Sequence, residues 1–318
     1  MVDDLSDEDS PMDLSVDVGT LRFKNPMLLA SGTVGYGEEI SELIDLNDLG
    51  GIVVKGLSLA PVTGNRPQRI AETPGGMLNS IGLQNVGVEA FVREKLPRLR
   101  EFDTQVIANI WGTTVADYAA VAAELDQVDG VHALELNVSC PNIKEGGISF
   151  GTDPIQLHTV TAAARAATSK PLWVKLAPGV TDIGLLARAA EEAGADALSA
   201  INTIRGMMVD VERRAPVLST VFGGYSGPGL LPIALYLLFE VRRATPLPLI
   251  GIGGINELGH VLQFMMIGAS AVQVGTANFY DPTFSGRVVE ELAQWCQTHE
   301  IDTLDQLVGS LELPADRH

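Results

Sequence analysis

From about residue 26 onward, short apolar runs alternate with longer segments of helical period, the pattern of consecutive βα units around a parallel sheet. Eight runs recur: "PMLLAS" at 26–31, "GIVVK" at 51–55, "QVIANI" at 105–110, "ALELNVS" at 133–139, "LWVKLA" at 172–177, "ALSAIN" at 197–202, "PLIGIGG" at 248–254 and "AVQVGTA" at 271–277. Strands covered on both faces need no polar alternation, and most of these runs show little. Between them, "DIGLLARAAEEAG" puts Ile183, Leu186 and Ala190 on one helical face and closes on Gly194 as a C-terminal cap. "NELGHVLQFMMIGAS" repeats that design, with Gly268 in the matching place. Eight units in about 250 residues predict a closed (β/α)8 TIM barrel rather than an open sheet. About 50 residues separate the second run from the third, too many for a plain crossover, which predicts an elaborated loop there followed by a helix.

Composition narrows the class. With 318 residues, 46% hydrophobic and 19% charged, the chain can bury a large core. A net charge of −19 argues against a nucleic-acid or anionic-membrane binder, since both need clustered positive charge. Salt adaptation and ordinary solubility both account for that acid excess. Cys140 and Cys296 are far apart and outside any C-x-x-C pattern, so neither a disulfide framework nor a zinc or iron–sulfur site is expected, and a reducing cytoplasm is the simplest setting. The start, "MVDDLSDEDSPMD", lacks the basic and apolar regions of a signal peptide and reads as an acidic disordered tail over 1–12. The barrel is expected over 13–311 and a short C-terminal tail over 312–318. The most apolar run, "LLPIALYLLFEV", holds a proline and falls short of a membrane span, so a soluble protein is expected.

Candidate chemistry gathers at the carboxyl ends of the predicted strands: Ser31, Lys55, Asn109, Asn137, Lys175 and Asn202. Barrel active sites are assembled on that face from several strands. An asparagine there is also a common turn former. Burying an unpaired ammonium is costly, so Lys55 and Lys175, each following a β-branched run, are expected to face a ligand. "GIGGI" and "VGTAN", after the seventh and eighth runs, suit a phosphate approached by backbone N–H groups. The first fails as a dinucleotide fingerprint because Asn256 takes the last glycine position, and a mononucleotide phosphate fits better. Cys140 by residue type alone is a small buried hydrophobe. Its position past a strand end, before Pro141 and the glycine-rich "NIKEGGISFGT", suits a reactive group beside a lid. Cys296, in a helical pattern, has no such setting.

Together "KGLSLAPVTGNRPQR", "NSIGLQN", "LELNVSCPN", "VKLAPGVTDI", "INTIRGM", "GGYSGPG", "GIGGI" and "VGTANF" resemble class 1 dihydroorotate dehydrogenase, most closely the catalytic subunit of the NAD-linked 1B type. The resemblance runs from about residue 13 to 311. It implies an FMN-containing barrel that oxidises (S)-dihydroorotate to orotate in pyrimidine (UMP) biosynthesis, hydride passing from C6 to flavin N5. Carried over by motif, the FMN contacts would be Ser31, Lys55, Gly56, Asn109, Asn137, Lys175, Ile201, Gly227, Gly253, Gly254, Gly275 and Thr276. The substrate contacts would be Lys55, Asn79, Ser80, Ile81, Gly82, Leu83, Asn137, Asn202 and Thr203. Cys140 would be the base that removes the C5 proton, and no metal is implied in this chain. The resemblance further implies a homodimer and a partner subunit carrying FAD and a 2Fe–2S cluster, through which electrons reach NAD. The alternatives are a 1A-type enzyme using fumarate, a related flavin barrel acting on another pyrimidine, and a non-catalytic phosphate-binding barrel. Departures from the family pattern are "QNVGV", Trp111 where a small residue is usual, and the lack of a lysine after "SGP".

Overall fold

The computed structural model describes residues 12–139 and 150–314. Most of the acidic tail, Cys140 with the lid-like stretch that follows it up to residue 149, and residues 315–318 lie outside the described residues.

Eight parallel strands close into a barrel: β1 Met27–Leu29, β2 Gly51–Leu57, β3 Gln105–Ile110, β4 Ala133–Asn137, β5 Leu172–Lys175, β6 Ala197–Ala200, β7 Leu249–Ile252 and β8 Ala269–Val274. Each lies beside its neighbour in the chain, and the ring shuts where Val272 of β8 pairs with Met27 of β1. The (β/α)8 expectation therefore holds, with all eight apolar runs supplying strands.

Among the described residues, seven helical segments surround the strands: α1 over 88–99, with a π-helical middle at Phe91–Lys95, then α2 Val115–Asp126, α3 Pro154–Ala167, α4 Ile183–Glu192, α5 Leu231–Ala244, α6 Leu258–Ile267 and α7 Phe284–Thr298. Their starts are written locally. Thr114 and Asp117 form a capping box on α2, Asp153 accepts from Gln156 N–H, and Asp182 accepts from Gly184 and Leu185 N–H; each such cap contributes about 1 kcal/mol. Their ends are equally local, since Gly194 and Gly268 take φ of +91° and +122° where the sequence predicts caps. Ile183, Leu186 and Ala190 are buried together as their spacing predicts. Between β1 and β2 the chain makes two 3-10 turns, Ile40–Glu42 and Leu46–Asp48, in place of an α-helix.

Of the smaller sheets among the described residues, two sit at the ends of the barrel. An N-terminal hairpin, Val16–Val18 with Leu21–Phe23, reaches the amino end of the strands, where the buried Phe23 ring lies 6.0 Å from that of Trp173. Over the carboxyl end sits a four-stranded antiparallel sheet in the order Ile204–Gly206, Gly223–Ser226, Gly76–Asn79, Ile70–Thr73. The long insertion after β2 was expected; the second contribution to this cap sheet, from the segment after β6, was not. Ala71, Leu78 and Leu218 give the cap its own small core. Cys296 is buried inside α7, in keeping with a structural role. The run at Leu231 forms α5, and among the described residues no helix is long and apolar enough to cross a membrane.

Candidate active site

Strand register decides which side chains meet inside the barrel. Paired residues of neighbouring strands present side chains to the same face, and so do residues two apart on one strand. Asn109 pairs with Glu135, Asn137 with Lys175, and Lys175 with Ser199. These five side chains therefore line the inner face of four adjacent strands, β3 to β6. At 2.7 Å, Asn109 Nδ2 donates to Glu135 Oε1, while Ser199 Oγ and Gln273 Nε2, the latter from β8, donate to Glu135 Oε2. The Lys175 ammonium, almost wholly buried, stands 3.6 Å from Glu135 Oε1. Asn109 Oδ1 and Gln273 Oε1 are buried without a hydrogen-bond partner among the described residues. An orphaned buried acceptor is costly, so this floor is a candidate surface for a ligand donor.

Above the floor, at the carboxyl ends of β4 and β6, Asn202 Nδ2 donates to Asn137 Oδ1 at 3.1 Å and to Ser139 Oγ at 2.9 Å. Asn202 Oδ1 in turn accepts from Thr203 N–H, and Tyr118 Oη fixes the Asn137 carbonyl at 2.7 Å. Lys55 is half-buried near the end of β2. Burial pushes its pKa below the ordinary lysine value, Arg69 adds to that, and Glu39 opposes it. The predicted substrate loop begins at Asn79, the last residue of a cap strand, whose Nδ2 donates to Gly224 O at 3.4 Å. Asn65 then braces the turn: its Nδ2 donates to Ser80 O, and Ile81 O accepts its backbone N–H, both at 2.9 Å. Gly82 and Leu83 follow with φ of +77° and +57°. Ser80 N–H is already given to Arg69 O, while its buried Oγ has no partner among the described residues.

A glycine rim completes the same face. Gly253 and Gly254, just past β7, take φ of +131° and +77°, and a Cβ there would lie 2.7 Å from Ala234 Cβ or 2.6 Å from Leu231 N. Gly227, at φ +111°, approaches Gly76 so closely that a Cβ would meet its Cα at 2.6 Å. Thr276, next to Gly275 after β8, donates from Oγ1 to Ser226 Oγ at 2.8 Å, tying the rim to the cap sheet. Gly56 lies against the floor, where a Cβ would crowd Asn109 Oδ1 at 2.8 Å and Trp111 at 3.2 Å. Ile201 is buried beside β7 through a bond to Ile252 O, and Ser31 follows β1.

The predicted residues thus fall on one barrel end, apart from Cys140, which lies outside the described residues and directly follows Ser139. Glu135, Ser199 and Gln273 were missed. Their signal was a polar residue set in the middle of an apolar run, "LEL", "LSA" and "VQV".

The fold is that of a barrel enzyme whose candidate site, at the carboxyl ends of the strands, is roofed by its own small sheet. The dihydroorotate dehydrogenase family model matches residues 13–295, and the chain belongs to that family. It is 52% identical over 301 residues to a protein of Citrifermentans bemidjiense, covering 95% of this chain and 99% of that one. It is 53% identical over 299 residues to one from Trichlorobacter lovleyi, covering 94% and 98%, and 49% identical over 302 residues to one from a Thermoanaerobacter species, covering 95% and 100%. All three relatives are named dihydroorotate dehydrogenase B (NAD(+)), catalytic subunit.

Proposed function

We propose that this chain is the FMN-dependent catalytic subunit of an NAD-linked dihydroorotate dehydrogenase, oxidising (S)-dihydroorotate to orotate in pyrimidine biosynthesis. The observation that carries the reading is the stacking of two layers at one barrel end: a buried floor with a lysine and orphaned acceptors, and above it Lys55 and the coupled amides of Asn137 and Asn202.

The floor fits a flavin. Asn109 Oδ1 asks for a ligand N–H, Lys175 offers a cation to a carbonyl edge, and Gly253 and Gly254 let the chain turn tightly against the start of α5, where a phosphate would meet backbone N–H groups. When bound, FMN supplies the acceptor for the two electrons removed from the substrate. The chain supplies the rest. Lys55 pairs with the substrate carboxylate, while Asn79, Asn137 and Asn202, each able to donate and accept, hold the ring amides. Ser80 to Leu83 and Thr203 close the pocket edge. Cys140 takes the C5 proton; a thiol with a reference pKa of about 8.5 is near enough to neutrality to act as a base. Ser139, held by Asn202, fixes the backbone just before it.

A partner subunit bearing FAD and a 2Fe–2S cluster would supply the electron route to NAD, with this chain as a homodimer in the cytoplasm. The visible spectrum of the purified chain tests the reading. A yellow protein that bleaches on anaerobic addition of dihydroorotate is expected; a colourless one, or one that does not bleach, would overturn it. Adding NAD with and without the partner subunit then separates the NAD-linked route from a fumarate-type one.

A further inference from the structure

We infer that Glu135 is a positioning residue that sets which atoms the barrel floor shows to the flavin and how easily that flavin is reduced. The inference rests on the flavin reading above. Glu135 is 0% exposed and engages four side chains from four other strands: Asn109, Lys175, Ser199 and Gln273.

An ionised carboxylate accepts and never donates. Both amides that touch it must therefore turn their NH2 groups toward it, which leaves Asn109 Oδ1 and Gln273 Oε1 as buried acceptors without a partner among the described residues. The polarity of the floor thus follows from a single charge. A glutamine in place of Glu135 can donate as well as accept, so either amide is free to rotate and present its NH2 group instead. The same carboxylate neutralises Lys175 at 3.6 Å inside a poorly solvated space, where charges are felt strongly. Without it, Lys175 acts on the ligand as an uncompensated cation and stabilises added negative charge.

The test uses the full-length, FMN-loaded chain and its Glu135→Gln variant. The expected result is a midpoint potential raised by at least a tenfold change in the oxidised-to-reduced equilibrium, about 30 mV for a two-electron couple. FMN is expected to dissociate at least tenfold more readily, and Glu135→Asp, which keeps the charge, is expected to restore most of the potential. A folded, yellow Glu135→Gln protein with the wild-type potential overturns the inference. If that variant does not accumulate folded, Ser199→Ala and Gln273→Leu carry the test, because each removes one donor to Oε2 and leaves a less compensated carboxylate. Both are then expected to lower the potential, and no change in either overturns the inference. A colourless wild-type protein would instead refute the flavin reading itself, so the two failures are distinct.

Discussion

In the proposed site Lys55 would carry both binding and a pH limit. Its pKa is depressed chiefly by burial, with Arg69 adding to the effect, so its ammonium is lost at lower pH than an ordinary lysine's. The carboxylate pairing proposed for Lys55 would need the charged form, which is present below that pKa and disappears as pH rises through it. KM for dihydroorotate should therefore climb in alkaline solution before an ordinary lysine would titrate, with little change at neutral pH. Replacing Lys55 with Met should raise KM about tenfold to a hundredfold, the value of a charge-assisted hydrogen bond, and should flatten the alkaline rise. Steady-state kinetics across pH check both outcomes. Lys55 was legible because it ends an apolar run. Glu135 was not, because a lone polar residue inside an apolar run does not show what it meets, and only register shows that its side chain joins Asn109, Lys175 and Ser199.

At the scale of elements, the strands and helix caps were legible because their causes are local. A strand buried on both faces is an apolar run, and a capping box or a glycine at positive φ declares itself within four residues. The cap sheet was not legible for the opposite reason. Its strands are short, three of the four bear glycine, and Asn79 meets Gly224 across 145 positions of chain. The glycine rim turns on the same local logic as the caps. Gly253→Ala would combine a φ of +131° with a Cβ 2.7 Å from Ala234 Cβ, forcing α5 away from the end of β7. The expected cost is about 1–3 kcal/mol of stability together with weaker FMN retention, read by thermal melting and by the flavin released on gel filtration. Gly286→Ala is the control: it sits in α7 with open space around its Cβ position and should hold or slightly raise Tm.

For the whole molecule, a net charge of −19 sets a field that the barrel must withstand. Like-charge repulsion weakens as salt shortens the Debye length, so Tm should rise by a few degrees between about 10 mM and about 200 mM NaCl. A falling or flat Tm would show that local ion pairs outweigh the overall field.

The cap sheet has a further consequence, in the order of events during folding. Its central pairing, Gly76–Asn79 against Gly223–Ser226, joins segments anchored to β2 and β6, on different parts of the ring. Those ends come together only once the intervening strands have aligned, because closing so long a loop costs entropy that no local contact repays. The roof of the active site is then the last element to form and the first to open. Amide hydrogen exchange should show the two segments losing protection together, at a lower opening free energy than β3 to β5, whose strands stay shut while the roof lifts.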